Sequence, residues 1–208
     1  MVVRGDIPRQ HESELDEFYR REHFPALLSV PGVIAARRFK AVRGDGPKVM
    51  VTVRLDHLGV VESEGYKKKS SSPWREKVTS YYTTRSRSIY EEIAGFRHMQ
   101  HRELKSPFAW VTNQDVAPEY ESEFNEWCDK EHIPLLLQIP GWLGVERLRR
   151  VQGSSPKYLT FHEVEGSRTL ERKELERASR TKWSRRIQPH FKNYSSTLYK
   201  QLYCLESY

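Results

Sequence analysis

Two hydrophobic periods, one of two residues and one of 3.6, alternate along the chain, and the whole alternation occurs twice. Val2 to Ile7 and Phe108 to Val116 are short β-rich runs followed by Pro8 and Pro118, so each predicts an opening strand. A helical stripe follows each: Leu15, Phe18, Tyr19, Ala26, Leu27 and Val30 in one half, Phe124, Trp127, Cys128, Leu135, Leu136 and Ile139 in the other. Ser13 and Ser122 are the expected caps. Pro25 and Pro134 predict a kink or break, because proline removes a backbone donor. Pro31-Gly32 and Pro140-Gly141 then stop the helices. A strand starts at Val33 or Trp142, turns follow at 43–47 and 152–156, and a third strand spans Val49 to Leu55 or Tyr158 to Val164. A second helix carries Trp74 or Trp183, and a last strand lies around Ser86 to Ile93 or Ser195 to Tyr203. Each half therefore reads β-α-β-β-α-β, the ferredoxin-like split unit of an α+β fold.

The two halves are in register. Adding 109 carries Glu12-Ser13-Glu14 onto Glu121-Ser122-Glu123, Glu22-His23 onto Glu131-His132, Pro25 onto Pro134, Arg38 onto Arg147 and Trp74 onto Trp183. Between 12 and 44, fourteen of 33 positions are identical to their counterparts, where average composition gives roughly two. This predicts a tandem duplication, with one repeat over 1–96, a polar connector over 97–106 and a second repeat over 107–208. A four-stranded sheet with both helices on one face leaves its other face bare. Two such sheets packed face to face are expected to form an intramolecular dimeric α+β barrel.

The chain has 208 residues and a formal charge of +7, from 35 Lys and Arg against 28 Asp and Glu. The densest cationic stretches, Lys67 to Lys69 and Arg168 to Arg186, are broken by Glu171, Glu174 and Glu176 or read as a wet helix face, so no nucleic-acid partner is expected. Without a run of roughly 18 apolar residues or a secretory start, a soluble cytoplasmic protein without membrane partner is expected, as monomer or homodimer. Cys128 and Cys204 match no metal spacing and read as ordinary thiols. His98 and His101 have helical spacing but no acidic partners for zinc. Asn193-Tyr194-Ser195 reads as an unused sequon. Nucleotide and serine-hydrolase motifs do not occur.

The candidate chemistry lies in Glu22-His23-Phe24-Pro25 and Glu131-His132-Ile133-Pro134. At 100° per residue His23 falls between Tyr19 and Leu27, within the apolar stripe, and His132 falls between Cys128 and Leu136. An imidazole there is suited to general acid or base work near neutral pH. It is equally suited to capping carbonyls that the proline frees. Around it, Tyr19 and Trp127 are expected to wall a substrate pocket. Arg38 and Arg147 could hold a carboxylate or enolate, although an interdomain salt bridge is the plainer expectation. His162, where the first repeat has Val53, marks the second repeat as different. Trp74 and Trp183 read as core or pocket wall, and Tyr82 and Phe191 as lining of the same cavity, as do their neighbours Tyr81 and His190.

The run from Glu123 through Glu131-His132-Ile133-Pro134 to Pro140-Gly141-Trp142 resembles the dimeric α+β barrel superfamily, and within it the EthD-like group in the tandem form common in fungi. The resemblance covers both repeats. It implies a pocket between helix and sheet in which the helix histidine moves protons. Polyketide cyclases, isomerases, decarboxylases and dehydratases are among its members, as are haem-linked enzymes and proteins without known activity. Its helices often carry an aromatic pair before the acidic-His unit. Here Phe18-Tyr19 keeps that pair and Trp127-Cys128 does not, so a phenol beside the histidine is expected only in the first repeat.

The expected function is a cofactor-independent lyase or isomerase, of cyclase, dehydratase or decarboxylase type, acting on a hydrophobic aromatic or polyketide-like carbonyl compound. His132 or His23 would be the base, with no cofactor and no metal. A non-catalytic ligand-binding or interaction protein with the same fold is the alternative. A haem enzyme, told apart by its Soret band, is the third reading.

Overall fold

The computed structural model describes residues 1–97 and 106–207. Most of the connector, with His98 and His101, lies outside the described residues. The strands are β1 (Val2–Asp6), β2 (Val33–Gly44), β3 (Val49–Leu55) and β4 (Thr84–Arg97), then β5 (Phe108–Val116), β6 (Trp142–Gln152), β7 (Tyr158–Val164) and β8 (Phe191–Glu206). The helices are α1 (Glu12–Phe18), α2 (Phe24–Leu28), α3 (Glu64–Lys69), α4 (Pro73–Thr79), α5 (Glu121–Trp127), α6 (Ile133–Leu137), α7 (Lys173–Ser179) and α8 (Lys182–Ile187). None of the described helices is long and apolar enough to cross a membrane.

Two compact units are formed: unit 1 from Met1–Ala41, Pro47–Ser88 and Gln201–Tyr208, unit 2 from Val42–Gly46 and Ile89–Lys200. In unit 1, β1 pairs antiparallel with β3 and with the start of β4, and β3 pairs with β2. In unit 2, β5 pairs antiparallel with β7 and with the start of β8, and β7 pairs with β6, which takes the end of β4 on its other edge. The full strand order, β1-β3-β2-β8-β5-β7-β6-β4, closes on itself. The last strands run 14 and 16 residues, far beyond a typical five or six. Each passes from one unit into the other, so the compact units cut the chain elsewhere than at 97–106.

The first helix of each unit departs from expectation at both ends. The Ser13 and Ser122 caps are not made. A short 3-10 turn (Arg9–His11, Pro118–Tyr120) runs straight into the helix, so the cap positions fall on His11 and Tyr120, which make no side-chain cap bond. Glu12, Glu14, Glu121 and Glu123 still complement the dipole in the first turn.

The prolines do not break the helix either. Tyr19–His23 and Cys128–His132 widen into π-helical turns, with Phe24 N–H donating to Tyr19 O and Ile133 N–H to Cys128 O, five residues back. Pro25 would clash with the carbonyl four residues earlier, and the wider turn moves that carbonyl away. Such turns gather at functional sites, and here each ends on a histidine.

The expected second helix is two short ones in each unit. Ser72 Oγ caps α4 through Arg75 N–H (3.0 Å), and Thr181 Oγ1 caps α8 through Ser184 N–H (2.9 Å). Gly32 and Gly141, at φ 87° and 88°, end the first helices in the left-handed region. A Cβ at Gly32 would lie 2.6 Å from Val60 Cγ2. The unit 2 core gathers Phe124, Ile133 and Leu136 from the helix against Trp142, Val145 and Leu198 from the sheet. Each such side chain contributes about 1.5–3 kcal/mol by leaving water.

Candidate functional site

In each unit a cavity lies between helices and sheet, and the two are built from matching positions. The unit 1 cavity is about 270 Å³ and the unit 2 cavity about 390 Å³. Eleven lining positions of one recur 109 residues later in the other, among them Phe18 and Trp127, Tyr19 and Cys128, His23 and His132, Val53 and His162, and Tyr82 and Phe191. The π-helical turn delivers the histidine in both cases. Alternation along β1 and β3 supplies Val3, Val51 and Val53 in unit 1, and along β5 and β7 it supplies Trp110, Thr112, Gln114, Thr160 and His162 in unit 2.

In unit 1 the His23 ring lies 5.1 Å from that of Phe18, nearly parallel, and 5.6 Å from that of Tyr19, edge-on. Burial lowers its pKa to about 4, with smaller contributions from the charges of Arg75 and Arg85, so the ring is neutral at pH 7. The Tyr19 and Tyr82 hydroxyls lie 3.3 Å apart. Burial, and then the Tyr19 phenol beside it, pushes the Tyr82 hydroxyl above its ordinary value. Tyr82 can enter because the sheet position beneath it is Gly5, where a Cβ would lie 2.5 Å from Tyr82 Cδ1.

In unit 2 the His132 ring stacks on Trp127 at 4.3 Å and 18°. Burial lowers its pKa to about 4, against a hydrogen bond to the Ala178 backbone, with Arg147 adding slightly. His162 sits 4.9 Å from Trp110 and 5.3 Å from Trp142. Burial, then His132, holds it well below the usual histidine value. Nδ1 of His132, Nδ1 of His162 and Oε1 of Gln114 are all buried without a hydrogen-bond partner, and all three side chains line this one cavity. Leaving a buried polar atom unpaired costs about 1–3 kcal/mol, so three around one cavity, His132 from the helix and Gln114 and His162 from the sheet, mark a place where a guest completes the bonding. Cys128, pushed up to about 12 by burial, stays a thiol and is no nucleophile.

Of the residues singled out from sequence, the structure thus brings Tyr19, His23 and Tyr82 to one cavity and Trp127, His132, His162 and Phe191 to the other. Arg38, Arg147, Trp74 and Trp183 line neither. The Arg38 guanidinium is buried and pairs with Asp16 at 2.9 Å. Arg147 pairs with Asp129 at 2.5 Å, bonds Asn125 Oδ1 at 2.5 Å and covers the Phe124 ring. Both partners are helix carboxylates of the same unit, which corrects the expectation of interdomain bridges. Trp74 N–H donates to Glu14 (3.2 Å) and Trp183 N–H to Glu123 (3.0 Å), clamping the second helix to the first. Tyr81 stacks on His11 and His190 on Tyr120, away from the cavities.

Sequence reasoning missed Trp110, Thr112 and Gln114, although their alternation within an opening strand was visible. It also missed Lys67, Arg75, Arg85 and Arg87 around the unit 1 cavity, because cations scattered over several elements carry no periodic signal that brings them together. Among the described residues no three His, Cys, Asp or Glu side chains are grouped to hold a metal ion.

No protein-family model and no curated protein sequence matches the chain. Solved structures do match over nearly its whole length. An anthrone oxidase-like protein superposes with a TM-score of 0.72 at 10% identity, covering 99% of this chain and 91% of its own. A candidate monooxygenase from Fusobacterium nucleatum gives 0.65 at 13%, covering 99% and 92%. A variant of chlorite dismutase from Candidatus Nitrospira defluvii gives 0.62 at 13%, covering 96% and 89%. At these identities the likeness is one of fold alone.

Proposed function

We propose that the unit 2 cavity is an active site. There neutral His132 removes a proton from the carbon next to a carbonyl in a hydrophobic aromatic or polyketide-like compound, without a cofactor. The observation that carries this reading is the convergence of three unpartnered buried polar groups on one aromatic-walled hollow. On this reading the chain is a lyase or isomerase of the EthD-like kind, a tandem duplication of ferredoxin-like repeats over 1–96 and 107–208. The recurrence of every helix and strand at matching positions supports the duplication.

A base with a pKa of about 4 is weak until its partner is charged. The low value reflects burial without a counter-charge. Proton transfer creates an enolate about 4 Å away, and at an effective dielectric of 20 that pair is worth about 4 kcal/mol, or about three pK units. The imidazole therefore becomes basic as the enolate forms. Neutral His162 can donate its ring N–H to the carbonyl oxygen, as a neutral imidazole does in other enolising enzymes, and the Thr112 and Thr160 hydroxyls line the same wall. The imidazolium then returns its proton to a different atom, giving isomerisation, or to a departing hydroxyl, giving dehydration.

Deuterium uptake at the methylene of anthrone in D₂O under argon tests the proposal. His132→Ala should slow enzyme-catalysed exchange about 10²- to 10⁴-fold, while His23→Ala leaves it within about two-fold. Full exchange by the His132 variant would refute the mechanism and leave the ligand-binding alternative. The same carbanion is open to dioxygen. Quinone formed in air only when His132 is present would redirect the reading from a lyase to an oxygenase.

A further inference from the structure

We propose that the unit 1 cavity is a second ligand site, built for a carboxylate carried on an apolar body about the size of a bicyclic ring. Arg75, Arg85, Arg87 and Lys67 would grip the anion, and the valine floor would take the body. Four cations and no carboxylate line this cavity, and no carboxylate of the described residues pairs with any of the four. Elsewhere arginines do find carboxylates: Arg38 with Asp16, Arg147 with Asp129 and Arg97 with Glu146 and Glu163.

Exposed cations alone would mean only a solvated face. What separates these four is the comparison with unit 2. Moving 109 residues on, Lys67, Arg75, Arg85 and Arg87 become Glu176, Ser184, Tyr194 and Ser196, so each cation is absent from the other site. The uncharged lining stays alike, with Phe18 matched by Trp127, His23 by His132 and Ser70 by Ser179. One architecture thus carries a cationic mouth in unit 1 and, among the described residues, no Lys or Arg lining in unit 2. The floor of Val3, Val51, Val53, Val61 and Val78 offers no polar anchor. A planar guanidinium matches a carboxylate in two parallel bonds, and the paired Tyr19 and Tyr82 hydroxyls supply further donors. A free phosphate would leave the valine floor empty.

Calorimetric titration with 2-naphthoate and its neutral analogue 2-acetonaphthone, at low and high salt, tests this. The naphthoate should bind, weaken as salt rises, and lose at least about ten-fold in affinity in the Arg75→Gln/Arg85→Gln variant. Binding of 2-acetonaphthone should be unchanged in that variant. Naphthoate binding should survive His132→Ala, so failure of the unit 2 mechanism does not touch this result. Undiminished naphthoate affinity in the double variant, with its unfolding temperature intact, would overturn the proposal. Displacement of naphthoate by equimolar inorganic phosphate would also overturn it, because the apolar body would then contribute nothing.

Discussion

Between pH 7 and pH 4 the folded chain is expected to lose about 5 kcal/mol of stability or more, ahead of any general acid denaturation. His23 and His132 are neutral in the fold, with pKa values lowered to about 4 by burial, while in the unfolded chain each titrates near the ordinary 6.5. Over that window the unfolded state binds more protons, so stability rises with pH, is complete above about 6.5 and drains away as pH falls towards 4. Each ring is worth about 3 kcal/mol across the window, and His162 acts in the same direction. Few carboxylates titrate above pH 5, so the upper part of the slope belongs to the histidines together with the Met1 amino group, which burial lowers to about 5 and which acts in the same direction. Urea unfolding at half-unit pH steps reads it directly. A stability that stays flat from pH 7 to 5 would mean that the rings are already hydrated or protonated in the fold.

The second large effect concerns Arg147, and it is asymmetric. Its guanidinium is 3% exposed whereas Asp129 is 42% exposed, so the two partners are not equivalent. Asp129→Ala strands a buried cation with only Asn125 and the Phe124 ring for company, and is expected to cost about 3 kcal/mol. Arg147→Met returns Asp129 to water and fills the same space with an apolar chain, at a cost of about 1 kcal/mol. The double variant should recover most of the loss caused by Asp129→Ala. By contrast Arg186→Ala, which breaks an exposed pair with Glu123, should cost under about 1 kcal/mol. Thermal unfolding of the four variants measures this, and a double variant no more stable than Asp129→Ala contradicts it.

How far the sequence reached depends on which interactions are periodic. The stripe through Leu15, Phe18 and Leu27 and the alternation through Val49, Val51 and Val53 are period effects, and both elements stand where the pattern puts them. His23 and His132 were legible for the same reason, since stripe arithmetic alone turns them towards the sheet. The π-helical turn was not, because proline chemistry predicts a kink or break and hydrophobic spacing does not reveal that one extra residue in the turn absorbs the clash. The caps at Ser13 and Ser122 failed because a 3-10 turn had already placed those residues inside the helix. Arg38 and Arg147 were drawn away from the cavities by Asp16 and Asp129, a helix-to-sheet pairing without a local signature. The four cations of unit 1 lie on α3, α4 and β4 and meet only in three dimensions. Yet reading each repeat against the other would have shown that they have no counterparts.

The proposed chemistry depends on His132 facing an aromatic-walled hollow and staying neutral there. Site-resolved NMR titration of its imidazole, identified by the spectrum lost in His132→Ala, tests this most directly. A protonation midpoint near pH 4 is the result expected. A midpoint near 6.5, that of an imidazole in bulk water, would contradict the account.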